Sequence, residues 1–217
     1  MFKLVRRAVL LLVVVLVVAA VVGDIAARRQ AQAALVRAVA KNVPGATGVS
    51  ASLSSFPFLG HLLVQGRVSQ VDVRITRVAA GGRSAVELSD VDVDVHDVEL
   101  DTAEAVHGRA RVTGIGRGQA RASISQAALQ RLLPAGTSVR LAAGAAQVSG
   151  SSAGPAVIVA AAGGLSLRLG RPQVVIPISL PATVLPCPPQ AVIAEGAVVL
   201  SCTFADVPRI LLDQVQG

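Results

Sequence analysis

The chain has 217 residues, a formal net charge of +7, four phenylalanines and no tryptophan or tyrosine. Nucleic-acid-binding surfaces combine clustered basic residues with aromatic rings for base stacking, so scattered arginines and scarce aromatics argue against a nucleic-acid partner. A net positive charge also favours anionic lipid, and we expect a membrane surface as the partner.

The N-terminus has the layout of an export signal. Lys3, Arg6 and Arg7 precede an uninterrupted apolar run over residues 8–22, and Asp24 follows that run. A signal-peptide core has roughly 7–15 apolar residues and a membrane-spanning helix about 20, so length alone leaves cleavage open. We favour a retained anchor, because the next segment reads as a continuing helix. The basic residues stay in the cytoplasm, which predicts that the rest is exported to the periplasm or the outer face of the cytoplasmic membrane.

We therefore divide the chain into a signal peptide or membrane anchor, residues 1–23, and a single domain, residues 24–217. The latter length, roughly 190 residues, suffices for one domain with a substantial core. Cys187 and Cys202 are the only cysteines. In an oxidising compartment they are predicted to form a disulfide, with two unpaired buried thiols as the alternative.

The segment after the apolar run is predicted to be an amphipathic helix over residues 24–42, which Pro44-Gly45 ends. At about 100° per residue its apolar stripe contains five residues. These are Ile25, Leu35, Val36, Val39 and Val43.

Beyond Gly48 the hydrophobic period changes to two, which predicts half-buried strands. Apolar residues alternate over residues 71–75 and again over residues 91–95. Val64, Gly66 and Val68 have even residue numbers, whereas the alternating run from Val71 has odd ones. This parity changes again between Val95 and Val98. Such changes predict bulges that curve the sheet. Gly81-Gly82 is predicted to be a turn.

The second half is predicted to contain a short helix over residues 125–133 with Ser125 as its N-cap, then further strands. The strands are expected at residues 157–161, 165–169, 174–178 and 197–202. A proline-rich loop spans residues 181–189, and a final helix spans residues 207–215. The predicted class is α+β, with a long N-terminal helix packed against a strongly curved antiparallel β-sheet.

Motifs for catalysis or metal binding do not hold in context. Ser152 lies in a G-x-S-x-G pattern, but no histidine follows it, as the hydrolase order requires. Gly114, Gly116 and Gly118 lack the complete dinucleotide-binding pattern and are interpreted as a turn.

Asp90, Asp92 and Asp94 lack the glycine and glutamate of a calcium loop, so a solvated strand face is preferred over weak cation binding. His61, His96 and His107 lack metal-ligand spacing. We expect no enzyme activity, cofactor or metal.

An apolar cluster near the first strands is the candidate functional site. It comprises Phe56, Phe58, Leu59, Leu62 and Leu63. One interpretation makes these residues the lip of a lipid-binding groove. The other makes them a core plug beneath the N-terminal helix, and periodicity does not separate the two.

Three motifs follow the signal or anchor and the helix: Phe56-Pro57-Phe58-Leu59, Gly66-Arg67 and Val71-Asp72-Val73. In this order they resemble the LmeA-type phospholipid-binding proteins of actinobacteria. Leu185-Pro186-Cys187 and Leu200-Ser201-Cys202 are similar to members with a cysteine pair. The resemblance implies a fold like the tubular lipid-binding proteins and phospholipid as the ligand. We therefore expect a non-enzymatic protein of the cell envelope that holds acyl chains in an aliphatic groove. The alternative is a structural envelope module with a filled core.

Overall fold

The computed structural model describes residues 2–55, 57–79, 86–101, 112–150, 154–161, 164–169, 174–180, 184–185 and 187–205. Within these ranges it does not describe the side chains of residues 2–17, 59, 63–64, 160–161, 164, 169, 174 and 179. The predicted turn at Gly81-Gly82 and the predicted helix over residues 207–215 lie outside the described residues. The described residues form an N-terminal helix packed on antiparallel sheets, which confirms the α+β class.

Helix α1 spans Phe2–Asn42 without a break. It ends where predicted, because Pro44 has no N–H to continue the helix and Gly45 adopts a φ of 75°. Among the described residues, no helix is long and apolar enough to cross a membrane.

The packed face of α1 differs from the predicted stripe at its N-terminal end. Leu35 and Val39 pack against the core as predicted, but Ile25 is 44% exposed, so its assignment was wrong. Ala27 and Ala31 pack against the protein instead. Both lie at least about 120° around the helix from Ile25, which therefore faces away.

The first sheet has six antiparallel strands in the order β1-β2-β3-β4-β11-β10. The bounds are β1 Ala46–Leu53, β2 Arg67–Val78, β3 Leu88–Leu100, β4 Val112–Ser125, β10 Gln190–Ala194 and β11 Ala197–Ala205. The alternating residues of β2 and β3 are direct partners, for example Val73 with Val93 and Ile75 with Val91. These strands are therefore confirmed.

The second sheet has five antiparallel strands in sequence order, so the strands form two sheets where one was expected. The bounds are β5 Thr137–Ala142, β6 Ala145–Gly150, β7 Gly154–Ala161, β8 Gly164–Leu169 and β9 Val174–Ser179. Buried side chains of both sheets form one core, including Leu88, Ile124, Leu167 and Leu200. The Gly144 N–H also donates to the Ile193 carbonyl at 2.9 Å, which joins the β5–β6 turn to β10.

One of the two backbone irregularities that the parity argument predicted is absent, and the other is present. Residue Val64 belongs to a helix, α2 (Phe58–Gln65), and Gly66 is its left-handed cap, so the strand interpretation of both was wrong. The pairing of β2 with β3 keeps one register throughout. The register shifts occur between β3 and β4, and Asp97, which lies between Val95 and Val98, has a φ of 56°.

The glycines at 114, 116 and 118 lie inside strand β4, so the interpretation of this segment as a turn was wrong. They alternate on one face, where side chains from neighbouring strands cover them. A Cβ on Gly118 would overlap the Phe204 ring, and one on Gly114 would meet the Glu99 carboxylate. Glycine is required here by close packing on a strand rather than by a reversal of the chain.

The short helix α3 (Gln126–Gln130) covers the free edge of β5. As predicted, Ser125 is its N-cap, and its hydroxyl accepts from the Ala128 N–H at 3.1 Å. Gln126 accepts from the Leu141 N–H, and Gln130 accepts from the Val139 N–H, both at 2.9 Å. The two glutamines thus satisfy edge groups that a neighbouring strand would otherwise bind.

Substituting Gln130→Ala should lower the free energy of unfolding by about 2 kcal/mol. The buried Val139 N–H would lose its acceptor, and the Thr137 carbonyl, 2.6 Å from Gln130 Nε2, would lose its donor. Urea unfolding checks this, with the exposed Gln147→Ala as a control that should change stability by less than about 0.5 kcal/mol. Equal stabilities of the two variants would contradict the edge-sealing role.

The predicted disulfide is present and joins Cys187 to Cys202, with a Cα–Cα distance of 5.8 Å. Cys202 lies on β11 with its side chain in the core, and Cys187 lies in the proline-rich segment before β10. Val184 and Leu185 of the same segment are buried. The disulfide therefore fastens the connection between the two sheets to the core.

Candidate functional site

Helix α2 is a short apolar helix whose start and end are determined by Pro57 and Gly66. Pro57 stands at the N-cap position with an extended ψ of 127°, and its carbonyl accepts from the His61 N–H at 3.1 Å. Gly66 closes the helix in the left-handed region, with its N–H donating to the Leu62 carbonyl at 3.1 Å. Glycine adopts this conformation without the steric cost of a Cβ, which fixes where β2 begins.

A second, smaller core lies where α1 and α2 meet the first three strands. Its buried members are Leu53 of β1, Phe58 of α2, Val68 of β2 and Val98 of β3. We call these four residues the Phe58 cluster. Partly buried residues surround it, namely Ala27, Ala31 and Leu35 of α1, Leu62 of α2, and Val71, Val95, Leu100 and Val112 of the sheet.

The structure brings two of the predicted site residues together in this place. Phe58 is only 4% exposed, whereas Leu62 is half-buried at the margin of the cluster. Phe56 and the side chains of Leu59 and Leu63 lie outside the described residues. One interpretation of the sequence placed these residues beneath the N-terminal helix, but it did not identify Ala27 and Ala31 as the residues of α1 that pack there. The four-residue spacing of Ala27, Ala31 and Leu35 was the available signal, but alanine carries little weight in a hydrophobic pattern.

The outer face of the six-stranded sheet is polar by contrast. It contains a pocket of about 350 Å³ between the exposed ends of β1, β2 and β3. Polar groups lining it include Ser50, Arg74, Thr76, Asp90 and Asp92. Arg74 Nε lies 3.5 Å from Asp92 Oδ2, so two of the three charged groups that line this pocket pair with each other. The pocket is therefore unsuited to an acyl chain.

Two of the aspartates of β3, Asp92 and Asp94, make contacts within the sheet. Asp94 accepts from Gln70 Nε2 at 2.9 Å, and its other carboxylate oxygen lies 2.7 Å from His96 Nε2, although without hydrogen-bond geometry. Asp90 has a φ of 49°, which takes it out of the regular alternation. In the part of the chain that the structure describes, no three potential ligands are grouped around a metal position.

The remaining motifs take no part in a described site. The His61 ring Nδ1 lies 3.0 Å from the Pro57 carbonyl oxygen, so it makes a local contact within α2. His107 and Ser152 lie outside the described residues.

No curated protein and no solved structure shows a significant match to the chain. One protein-family model does match, over residues 18–200, and it is described as LmeA-like phospholipid-binding. The match includes most of α1, the whole Phe58 cluster and, in full, ten of the eleven strands that the structure describes. The chain therefore belongs to the LmeA-like phospholipid-binding family.

Proposed function

We propose that this protein is a non-enzymatic phospholipid-binding protein of the cell envelope that holds acyl chains in an aliphatic groove. The groove lies between α1, α2 and the ends of β1–β3. Membership of a phospholipid-binding family over residues 18–200 is the observation that carries the proposal. Phospholipid and the membrane surface are its partners.

The Phe58 cluster supplies the kind of surface that an acyl chain needs. Its members and the partly buried residues around it are aliphatic apart from Phe58 itself. Burial of one methylene group contributes about 0.8 kcal/mol, so twelve methylenes would contribute about 10 kcal/mol. Affinity of this size requires no polar motif, which fits the absence of a recognisable catalytic or cofactor pattern in the sequence.

Entry is proposed between α1 and α2, with Leu62 at the lip and Phe58 as the floor. At this level α1 packs through Ala27 and Ala31, which offer little side chain to interlock with α2. Separating the two helices would thus expose little apolar area, and an incoming acyl chain would cover it again. Leu59, Leu63 and Phe56 belong to the same proposed lip.

The protein is proposed to lie outside the cytoplasmic membrane, anchored by residues 8–22. A disulfide is typical of an oxidising compartment, which supports export. Val18, Val22 and Ile25 are exposed on α1, as residues close to a bilayer would be. Because α1 is continuous through residue 23, a retained anchor and the domain would share one helix. Cleavage there would cut that helix, which supports retention.

Native mass spectrometry of the full chain, purified without detergent, tests the function. We expect a stoichiometric phospholipid adduct on the wild-type protein. Lipid that merely surrounds the anchor should be unaffected by Leu62→Asp, whereas lipid in the groove should be lost from that variant. Absence of an adduct from folded wild-type protein would overturn the proposal.

A structural envelope module with a filled core is the second candidate, and the deep burial of Phe58 favours it. A filled cluster stabilises the fold and leaves no room for a ligand. The same measurement separates the candidates, because a structural module would carry no adduct while unfolding as cooperatively as a lipid-binding protein.

A further inference from the structure

The outer face of the five-stranded sheet carries apolar side chains in solvent. Val157 of β7 is 55% exposed and Val175 of β9 is 52% exposed. Pro155 and Pro177 of the same two strands are also exposed. An antiparallel sheet with one face on the core normally presents polar residues on the other. This sheet carries apolar side chains on both faces, since its inner side chains lie in the main core.

Two arginines share that outer face. Arg168 of β8 is the direct cross-strand partner of both Val157 and Val175, so it stands between the two exposed valines. Arg140 of β5 is the cross-strand partner of Gln147, which in turn pairs with Pro155, two residues before Val157 on β7. Both arginines are exposed. We call Arg140, Pro155, Val157, Arg168, Val175 and Pro177 the valine–arginine face.

Acidic residues are absent from the described residues of this sheet, and the sequence has none from Ala105 to Ala194. Most of the chain's 13 acidic residues lie between Asp72 and Glu104 instead. There they meet arginines of β2, for example in the 2.6 Å pair of Arg67 with Glu99. The two sheets therefore differ in charge, and the uncompensated positive charge coincides with the exposed apolar residues.

We infer that the valine–arginine face docks onto an anionic lipid bilayer. Guanidinium groups bind phosphate oxygens in pairs of hydrogen bonds, and aliphatic side chains between them enter the headgroup layer. A protein partner fits less well, because binding hot spots are rich in aromatic residues and the described residues of this sheet include none. The inference rests on the proposed function and gives the lipid-binding domain a second contact with the membrane that supplies its ligand.

The absence of tryptophan from the chain makes a direct test available. Val157→Trp introduces a single fluorophore on the valine–arginine face, and Val192→Trp introduces one at a 60% exposed valine on the other sheet. Each full-length variant is reconstituted into vesicles of phosphatidylglycerol and phosphatidylcholine that contain brominated acyl chains. We expect blue-shifted, quenched emission from Val157→Trp and unquenched emission from Val192→Trp.

The arginines provide the second arm of the test. Adding Arg140→Glu and Arg168→Glu to Val157→Trp should abolish the quenching, since each arginine lost near an anionic surface weakens binding roughly fivefold. Vesicles of phosphatidylcholine alone should give little quenching of Val157→Trp.

Equal quenching of the two tryptophan variants, or quenching that survives both charge reversals, would overturn the docking proposal. An emission shift that needs no vesicles and grows with protein concentration would also overturn it, because it would identify a second copy as the occupant. Native mass spectrometry on the Arg140→Glu/Arg168→Glu protein distinguishes failure of the docking proposal from failure of the proposed function. A retained phospholipid adduct without docking removes the inference alone, whereas loss of the adduct from wild-type protein removes the function.

Discussion

Replacing both cysteines in Cys187→Ala/Cys202→Ala should lower the free energy of unfolding by about 3 kcal/mol. The disulfide closes a sequence separation of 15 residues, and losing it returns that loop's freedom to the unfolded chain. The connection that carries the buried Val184 and Leu185 would also lose its covalent attachment to β11. Alanine is chosen because it adds no hydroxyl to the core position of Cys202.

Urea unfolding should show the same loss of stability, relative to the oxidised wild type, for the variant and for wild-type protein under reducing conditions. Thiol labelling of denatured, unreduced wild-type protein should find no free thiol. A stability change below about 1 kcal/mol would show that the native packing holds the connection without the disulfide.

The substitution Leu62→Asp should abolish most phospholipid transfer between vesicles while leaving the melting temperature near that of the wild type. Leu62 is half-buried at the margin of the Phe58 cluster, so a carboxylate there can remain hydrated in the empty protein. An acyl chain that enters beside it would have to pass or bury that charge, which is costly. Transfer of a fluorescent phospholipid and thermal unfolding should be measured on the same preparations.

Two variants control this experiment. Val192→Asp places the same charge at an exposed valine far from the proposed groove, and it should preserve both transfer and melting. Phe58→Ala removes a buried ring and should cost about 3–5 kcal/mol of stability. If Leu62→Asp unfolds like Phe58→Ala, Leu62 belongs to a structural core. If it melts like the wild type with transfer intact, the lipid site lies elsewhere.

The two helices α1 and α2 explain why the candidate site was only partly predictable. The sequence places Phe58 and Leu62 close together because they are one helical turn apart, and both do reach the same cluster. Nothing local indicated that α1 would complete that cluster with alanines. The valine–arginine face was equally hidden, since Val157, Arg168 and Val175 become neighbours only through the pairing of three strands.

The sequence by itself determined the features that depend on neighbouring residues. These include the stop of α1 before Pro44, the Ser125 N-cap, and the alternating strands of β2 and β3. Each follows from backbone chemistry or from a period within a few residues. The resemblance to a phospholipid-binding family was likewise visible in short motifs and is confirmed over residues 18–200.

Only the tertiary structure decided the features that depend on partners remote in the chain. Gly118 lies in a strand rather than a turn because Phe204, from β11, packs where its side chain would be. The strands divide into two sheets because β11 pairs with β4 while β5–β9 pair among themselves. Hydrophobic period and glycine content are the same for either arrangement. The choice is made by contacts between segments that no local pattern records.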